Sequence, residues 1–245
     1  MSKQPDSLRT TVVVPTYNER DNLPVLVDLL ADLGVPGLHV LVVDDNSPDG
    51  TGDLADKLAL EGPLPLSVLH RTEKDGLGRA YVAGILKALD DGADLVVQMD
   101  ADLSHPASAI PTMIEVLRTS DAAVVIGSRY VPGGSVSGEW KWHRKALSLW
   151  ANVYVNAILR LRVKDATAGF KCWRAATLRR IDVGSIRSNG YAFQVEMNHR
   201  VVKRGMRIAE VPIRFEERAE GASKMSFGVQ LESAVMPWKL LFKKG

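Results

Sequence analysis

The chain alternates short β-branched apolar runs with stretches in which apolar residues recur every three or four positions. In the first half, the short runs predict buried strands and the periodic stretches predict amphipathic helices between them. The predicted strands are Thr11–Val14, Val40–Val43, Leu66–Leu69, Leu95–Met99 and Ala122–Ile126. The predicted helices are Asn22–Leu33, Asp53–Leu60, Gly78–Leu89 and Ala107–Leu117. This alternation predicts right-handed βαβ units, and so an α/β fold with a mostly parallel, Rossmann-like sheet flanked by helices.

A polar cluster follows each of the first four predicted strands. The clusters are "PTYNE", "DDNSPDGT", "RTEKDGLG" and "DADLSHP". Ligands of open parallel sheets bind beyond the carboxyl ends of the strands, so we expect all four clusters to meet at one rim. One cluster would be ordinary turn chemistry, but four together predict a binding site. The chain contains neither G-x-G-x-x-G nor a P-loop motif, which argues against a dinucleotide dehydrogenase and a P-loop NTPase.

Two carboxylates, Asp100 and Asp102, stand one residue apart after the fourth strand. In an extended chain they would point to the same side, with Cα atoms about 6.5 to 7 Å apart. A divalent cation would relieve their repulsion, and oxygen ligands suit Mg²⁺ or Mn²⁺. Ser104, on the same side, could complete the shell of ligands. For this motif alone, a solvated strand end with an Asx turn is an equal alternative.

The earlier pair, Asp44 and Asp45, consists of neighbouring strand residues, which face opposite ways. Only one of them can reach a ligand directly, and we expect the other to brace the loop. The following "SPDGT" predicts a turn and then a helix N-terminus with available backbone N–H groups. Asp75 opens "DGLG", where glycines allow the backbone to approach a ligand.

Composition indicates one compact soluble domain: 245 residues, 46% hydrophobic and 24% charged. The single cysteine, Cys172, excludes an internal disulfide and favours a reducing, cytoplasmic setting. The opening "MSKQPDSLRTT" lacks the apolar segment of a signal peptide. We expect residues 1–10 to be flexible and residues 227–245 to form an amphipathic tail.

Charge is distributed unevenly although the formal net charge is only +2. Residues 1–120 carry 9 basic and 19 acidic side chains, a net −10, and residues 121–245 carry 22 and 10, a net +12. An acidic half suggests cation binding, and a basic half suggests phosphates or an anionic membrane. The alternative is that the two halves merely complement each other.

Eight ordered segments carry a resemblance to a known family. They are "VVVPTYNE", "VVDDNSPDGT", "GLGRAYVAGI", "MDADLSHP", "GSRYVPGG", "ATAGFKCWR", "NGYAFQVEM" and "EVPIRFEERAEGASKM". Together they resemble the dolichol-phosphate (polyprenyl-phosphate) mannose synthase branch of the inverting family 2 glycosyltransferases, which have the GT-A fold. The match runs from about residue 11 to about residue 226. It implies one catalytic domain, with a nucleotide-sugar half (11–125) and an acceptor half (126–226).

The resemblance implies GDP-mannose as the donor, bound together with Mg²⁺ or Mn²⁺. Asp45 would lie near the base or ribose, and the metal would sit on the diphosphate. The implied nucleotide-sugar site consists of Pro15, Tyr17, Glu19, Asp45, Asp75, Asp100 and Ala101. The implied metal ligands are Asp100, Asp102 and Ser104, the last replacing a Gln found in some relatives. The implied catalytic residues are Asp102, Arg129 and Arg218.

Basic residues of the second half predict a phosphate-bearing acceptor, which the resemblance identifies as a polyprenyl phosphate. Arg129 lies in "GSRY", Arg144 and Ser148 in "KWHRKALS", and Arg218 and Lys224 in "FEERAEGASKM". A guanidinium can bind two phosphate oxygens at once, so arginine is the expected residue for such a clamp. Each arginine alone is better explained as a solvated surface residue, but together, inside the matching motifs, these residues favour phosphate binding.

Two segments predict contact with a membrane surface. Ala146–Leu159 is uncharged between basic residues and too short to span a bilayer, so it is either an interfacial helix or a core helix. The tail "VMPWKLLFKKG" mixes aromatic and aliphatic residues with lysines. We expect peripheral docking at the cytoplasmic face of a membrane, directly or through a membrane-anchoring partner protein.

The acceptor also determines the expected mechanism. A phosphate monoester has a second pKa near 6 and is already an anion at neutral pH, so no general base is needed. A single in-line displacement would invert the anomeric configuration.

Three alternatives stay open from the sequence. The first keeps the fold but transfers glucose from UDP-glucose. The second is a nucleotidyltransferase, although "PTYNERDN" lacks the Gly/Arg/Lys signature of that class. The third is a non-catalytic module that binds lipid phosphate. We expect no nucleic-acid partner.

Overall fold

The computed structural model describes residues 8–137, 142–216 and 236–242, with only the backbone of 142–144. The strands are β1 (Thr10–Thr16), β2 (Leu38–Asp44), β3 (Leu66–His70), β4 (Leu95–Gln98), β5 (Val124–Ser128), β6 (Ser135–Val136), β7 (Lys171–Arg174), β8 (Ile208–Pro212) and β9 (Arg214–Phe215). The helices are α1 (Asn22–Ala31), α2 (Thr51–Glu61), α3 (Leu77–Asp90), α4 (Ile110–Thr119), α5 (Trp142–Leu159), α6 (Ala175–Arg180) and α7 (Gly190–Lys203). Residues 236–242 form a further helix, here called the C-terminal helix.

Seven of the described strands form one sheet in the order β3-β2-β1-β4-β7-β5-β8. All neighbours pair in parallel except β7, which runs antiparallel to both β4 and β5. The strands and helices predicted in the first half are confirmed, with boundaries shifted by no more than three residues. Because β7 lies between β4 and β5, the two predicted halves share one sheet.

Alternate residues of the central strands pack on opposite faces of the sheet, as the period of a strand requires. Val12 and Val14 of β1 belong to the core under α1 and α4, whereas Val13 belongs to the core under α3 and α7. Helix α3 lies very close to the sheet, since a Cβ added at Gly84 would come within 2.5 Å of the Val13 side chain. Both faces are therefore covered, and the carboxyl-end rim of the sheet carries the polar loops.

Lys171, the first residue of β7, is fully buried. Its Nζ donates to the carbonyl oxygen of Gln194 at 3.2 Å and lies 5.6 Å from the centre of the Trp173 ring. Burial lowers the pKa of Lys171 to about 7, although the Asp165 carboxylate acts in the opposite direction. A lysine ammonium is costly in such a position because its hydration is lost.

We expect Lys171→Met to remove a pH-dependent part of the stability. Between pH 7 and the ordinary lysine pKa of 10.5, the unfolded chain binds more protons at this site than the folded chain. The wild-type protein should therefore gain stability as the pH rises through that window, on the order of 2 kcal/mol between pH 7 and 9.5. Denaturant unfolding of both proteins across this range measures the difference, and parallel pH dependence would contradict the burial of a titrating lysine.

Candidate functional site

The polar loops after β1, β2 and β3 are joined to one another at the rim of the sheet. The backbone N–H of Asn18 donates to Ser47 Oγ at 3.1 Å, and Asn46 Nδ2 donates to the carbonyl oxygen of Thr72 at 3.2 Å. Asn18 and Asn46 both have positive φ, a backbone conformation that asparagine tolerates better than most residues. The predicted convergence of these loops is confirmed.

The neighbouring acids Asp44 and Asp45 have different surroundings. Asp44 accepts hydrogen bonds from Thr16 Oγ1 at 2.9 Å and from the backbone N–H and Oγ of Ser47 at 3.0 and 2.6 Å. It braces the loop, as predicted for one member of the pair. Asp45 forms an ion pair with Arg71, and burial raises its pKa although the guanidinium opposes the shift. Contact of Asp45 with a base or ribose stays a prediction.

The other residues implied for the nucleotide site lie along the same edge. Pro15 is buried in β1, and Tyr17 is half-buried with Lys74 Nζ 3.5 Å from its ring centre. Glu19 begins the turn into α1, and Asp75 is exposed just before α3. The structure thus brings these residues to one rim, while their contact with a nucleotide stays a prediction.

The carboxylate pair lies in a bend rather than in the extended chain that the sequence suggested. Strand β4 ends at Gln98, and Leu103 has φ +62°. Ser104 donates to Asp102 Oδ1 from its backbone N–H at 3.1 Å and from its hydroxyl at 2.6 Å. Ser104 therefore braces Asp102, and direct coordination of a metal by Ser104 stays a prediction. Ala101, between the two acids, is buried.

His105, which follows the two acids closely in the sequence, holds their loop in place. The backbone N–H of Asp100 donates to His105 Nδ1 at 3.1 Å, which places the ring proton of the neutral imidazole on Nε2. The His105 ring stacks on Phe170, with centres 5.2 Å apart, and meets Phe215 edge-on at 5.6 Å. The imidazole thus fixes the bend at the point where Asp100 leaves the sheet.

Tyr81 of α3 holds the side chain of Asp100. Its hydroxyl donates to Asp100 Oδ1 at 2.6 Å, and its ring stacks on Phe193 of α7 with centres 6.0 Å apart. The pKa of the fully buried Tyr81 is raised well above its ordinary value, first by burial and then by Asp100 and Asp102. Tyr81 thus holds Asp100 directly, and the charge of Asp102 also acts on the same phenol.

The donor set fits a hard divalent cation that is shared with a substrate. A Cβ added at Gly169 would lie 3.8 Å from Asp100 Oδ2. Because residue 169 is a glycine, no side chain of this residue covers that oxygen. Within the described ranges no group of three His, Cys, Asp or Glu residues could hold a metal by itself. Mg²⁺ and Mn²⁺ commonly bind one or two carboxylates and complete their shell with waters and substrate phosphates.

Arg129, predicted to bind the acceptor phosphate, lies at the end of β5 in a buried ion pair. Its Nε and Nη2 each donate to an Asp165 carboxylate oxygen at 2.7 Å, and Nη2 also donates to Thr167 Oγ1 at 3.1 Å. Asp165 is fully buried. Ser148, the second predicted residue described here, accepts a hydrogen bond from the Tyr130 hydroxyl at 2.8 Å. Binding of phosphate by Arg129 and Ser148 stays a prediction.

The side chains of the remaining predicted acceptor residues are not part of the described structure. The backbone of Arg144 is in α5, but its side chain is outside the described residues, as are Arg218 and Lys224 entirely. Their roles stay predictions.

The loop that contains Asp165 is held by side chains from two helices and one strand. Ala166 donates its N–H to Asn152 Oδ1 of α5 at 2.8 Å, and its carbonyl oxygen accepts from Asn198 Nδ2 of α7 at 2.9 Å. The N–H of Asp165 donates to Glu210 Oε1 of β8 at 3.0 Å. These bonds fix the carboxylate that orients the Arg129 guanidinium.

Tyr81, His105 and Asp165 were not predicted as site residues from the sequence. Tyr81 and His105 stand inside the quoted motifs. A hydroxyl or an imidazole among positions expected to be buried could have indicated that these two residues belong to the site. Asp165 directly precedes "ATAGFKCWR", and its partner Arg129 is 36 residues away. Such pairs become visible only when the strands are assembled.

The fold and the site define a class: a GT-A glycosyltransferase, with a mostly parallel sheet and an acidic rim suited to a metal-bound diphosphate. The model of the family described as "Glycosyl transferase family 2" matches residues 11–186. The chain belongs to this family.

Two curated relatives cover most of the chain. An undecaprenyl-phosphate mannosyltransferase of Micrococcus luteus is 50% identical over 228 residues, which are 93% of this chain and 92% of the relative. A polyprenol monophosphomannose synthase of Mycolicibacterium smegmatis is 46% identical over 218 residues, 89% of this chain and 81% of the relative.

Solved structures with low sequence identity share the fold. A glucosyl-3-phosphoglycerate synthase of Mycobacterium tuberculosis, in complex with Mn²⁺, UDP-glucose and phosphoglyceric acid, has a TM-score of 0.71 at 17% identity, covering 96% of this chain and 80% of its own. A mannosyltransferase of Pyrobaculum calidifontis, in complex with GDP-Man and Mn²⁺, has a TM-score of 0.64 at 19% identity, covering 97% and 65%. The prediction of a GT-A fold is confirmed.

We expect Tyr81→Phe to weaken binding of Mn²⁺ about tenfold or more in the presence of a nucleoside diphosphate. The change removes one hydroxyl that holds Asp100, and loss of such outer partners typically lowers metal affinity 10- to 100-fold. Electron paramagnetic resonance of free Mn²⁺ measures the affinity. Tyr154→Phe, which removes a hydroxyl on α5, is the control and should bind Mn²⁺ like wild type. Equal affinities in all three proteins would show that the Tyr81 hydroxyl does not support the metal site.

Proposed function

We propose that this chain transfers mannose from GDP-mannose to a polyprenyl phosphate, forming polyprenyl phosphomannose and GDP. The observation that carries the proposal is the braced pair Asp100 and Asp102 at the rim, in a chain about half identical to enzymes named for this transfer. The complex of the Pyrobaculum calidifontis mannosyltransferase with GDP-Man and Mn²⁺ supports the choice of donor.

On the donor side, Asp100 and Asp102 would hold Mg²⁺ or Mn²⁺. The ion, when bound, supplies positive charge that stabilises the departing GDP. Tyr81 and Ser104 keep the two carboxylates in place by donating to one oxygen of each. Pro15, Tyr17, Glu19, Asp45, Asp75 and Ala101 would line the nucleotide-sugar site.

On the acceptor side, Arg129 would face the lipid phosphate with a guanidinium already oriented by Asp165. Arg144, Ser148, Arg218 and Lys224 would complete the phosphate site. The acceptor oxygen is an anion at neutral pH, so the protein has to position it and screen its charge rather than deprotonate it. Attack in line with the departing GDP converts an α-linked donor into a β-linked mannosyl phosphate.

The direct test is transfer of labelled mannose from GDP-mannose to a short polyprenyl phosphate, with Mg²⁺ or Mn²⁺. We expect an organic-soluble, mild-acid-labile product, formed faster than from UDP-glucose. Chelation should abolish its formation, and Asp102→Asn should lower the rate at least about 100-fold because the metal contributes several kcal/mol to leaving-group stabilisation.

Asp90→Asn, an exposed carboxylate at the end of α3, is the matched control and should retain wild-type transfer. Turnover that survives chelation would contradict the metal-dependent mechanism. Preference for UDP-glucose would favour the glucosyltransferase alternative. Lipid binding without transfer from either donor would favour the non-catalytic alternative.

An apolar surface formed by α5 and the C-terminal helix supports docking on a membrane. Trp150 stacks on Tyr154 with ring centres 5.1 Å apart, and the Tyr154 hydroxyl accepts from Trp238 Nε1 at 3.0 Å. The exposed apolar side chains of this surface are Leu147, Leu149, Trp150, Val153, Trp238, Leu241 and Phe242. The other side of α5 is buried. One face of this helix therefore fits the prediction of an interfacial helix, and the opposite face fits the prediction of a core helix.

Basic residues border this apolar surface, with Lys145 on α5, Arg160 and Arg162 just after α5, and Lys239 on the C-terminal helix. No helix in the described part of the chain is long and apolar enough to cross a bilayer. Apolar side chains rimmed by cations suit the interface of an anionic membrane. This surface therefore supports the proposal of peripheral docking at the cytoplasmic face.

We expect a double variant, Trp150→Ser with Phe242→Ser, to bind anionic phospholipid vesicles about tenfold or more weakly. The two side chains are 58% and 75% exposed, and insertion of each should contribute about 1 kcal/mol or more. Vesicle flotation measures the binding. Leu60→Ser, at an 86% exposed leucine on α2, is the control and should bind like wild type. If the double variant also binds unchanged, docking occurs elsewhere or needs a partner protein.

A further inference from the structure

A space for about one methyl group, here called the recess, lies beside Asp100 at the position that a Cβ of Gly169 would occupy. A Cβ added at Gly169 would lie 3.5 Å from His105 Cε1, 3.7 Å from Gln194 Nε2 and 3.8 Å from Asp100 Oδ2. These are ordinary van der Waals contacts, so a methyl group would fit without moving its neighbours. Gly169 has no positive φ, so its backbone does not require glycine. The glycine thus leaves open a space that is bordered by Gln194 Nε2 and Asp100 Oδ2.

A series of buried hydrogen bonds determines which end of the Gln194 amide faces the recess. Trp173 Nε1, which can only donate, donates to Gln98 Oε1 at 3.0 Å. Gln98 must then present its Nε2, which donates to Gln194 Oε1 at 3.3 Å. Gln194 is left with its Nε2 towards the recess. The indole of Trp173 therefore determines which end of each amide, in Gln98 and in Gln194, carries the oxygen and which carries the nitrogen.

The backbone of Gln194 is also held in place. Its carbonyl oxygen accepts a hydrogen bond from Lys171 Nζ at 3.2 Å. Gln98 and Trp173 are fully buried, and Gln194 is 4% exposed. Turning the Gln194 amide over would set its nitrogen against the donor of Gln98 and its oxygen towards the carboxylate of Asp100. The structure thus presents a fixed N–H donor next to a residue proposed to hold the metal.

We propose that Gln194 is a substrate-binding residue whose side-chain N–H donates to an oxygen of the donor nucleotide sugar seated in the recess over Gly169. This inference rests on the proposed function, because that function assigns Asp100 to the metal on the donor diphosphate. The oxygens nearest to Asp100 are then those of the diphosphate and the attached sugar. Both are hydrogen-bond acceptors, and both suit a neutral donor beside a metal-binding carboxylate.

Gln194→Glu tests the donor directly. A carboxylate of the same shape keeps the acceptor for Gln98 Nε2 but replaces the N–H₂ by oxygen. We expect the KM for GDP-mannose and the Kd for this nucleotide sugar to rise about tenfold or more, since leaving a buried ligand oxygen without its hydrogen-bond donor has an effect of this size. The KM for polyprenyl phosphate and the affinity for Mn²⁺ should not weaken. The last readout separates loss of a substrate contact from damage to the metal site.

Gly169→Ala tests the recess independently, because the added methyl group fills it without a clash. We expect weaker donor binding here too, with unchanged thermal stability. Gly184→Ala is the matched control: its new Cβ would also lie in ordinary contact, 3.7 Å from Leu86, and no atom of Asp100 or Asp102 lies within 4 Å of it. It should bind GDP-mannose like wild type.

Calorimetric titration with GDP and with GDP-mannose identifies the oxygen. Weakening of both ligands by Gln194→Glu places the contact on the diphosphate, and weakening of GDP-mannose alone places it on the sugar. Wild-type donor affinity in both Gln194→Glu and Gly169→Ala would overturn the inference, as would an effect confined to the lipid acceptor. Failure of the wild-type protein to transfer mannose would instead overturn the proposed function.

Discussion

Electrostatic repulsion between two neighbouring carboxylates is the constraint on which the rest of the site depends. Asp100 and Asp102 lie in one bend, and each is held by a donor: Asp100 by the Tyr81 hydroxyl, and Asp102 by the hydroxyl and backbone N–H of Ser104. A donor that hydrogen-bonds a carboxylate fixes the direction of its oxygens. The bend is fixed in turn by His105, so the site is organised before any cation arrives.

The basic side of the site uses the same principle with the charges reversed. Arg129 is buried against Asp165, and removal of one partner from such a pair typically costs about 3 to 5 kcal/mol because the other charge stays buried. The loop of Asp165 is bound by Asn152 of α5, whose opposite face belongs to the apolar surface. One helix thus connects the proposed membrane surface to the residue proposed to receive the lipid phosphate, through a single loop of fixed geometry.

Local patterns in the sequence were sufficient for the strands and helices of the first half and for the rim, because side-chain periodicity and turn residues determine these locally. They were not sufficient for β7, which enters the sheet antiparallel between β4 and β5 through pairings distant in sequence. The bend at Leu103, the Tyr81 contact and the Arg129 ion pair depend on that assembly. The carboxylates were therefore recognised from their spacing, while the side chains that hold them were not.

The unequal charge of the two halves can be understood from the meeting of two anions. A nucleotide diphosphate and a lipid phosphate repel each other, and a site of one sign could not hold both a cation and two phosphates in register. Asp100 and Asp102, just after β4, are suited to the metal, and Arg129, just after β5, is suited to the acceptor phosphate. Between them, on β4, β7 and α7, stand the neutral donors and acceptors of Gln98, Trp173 and Gln194. A neutral amide at this boundary can bind an oxygen of the donor without attracting the acceptor phosphate and without repelling the donor diphosphate.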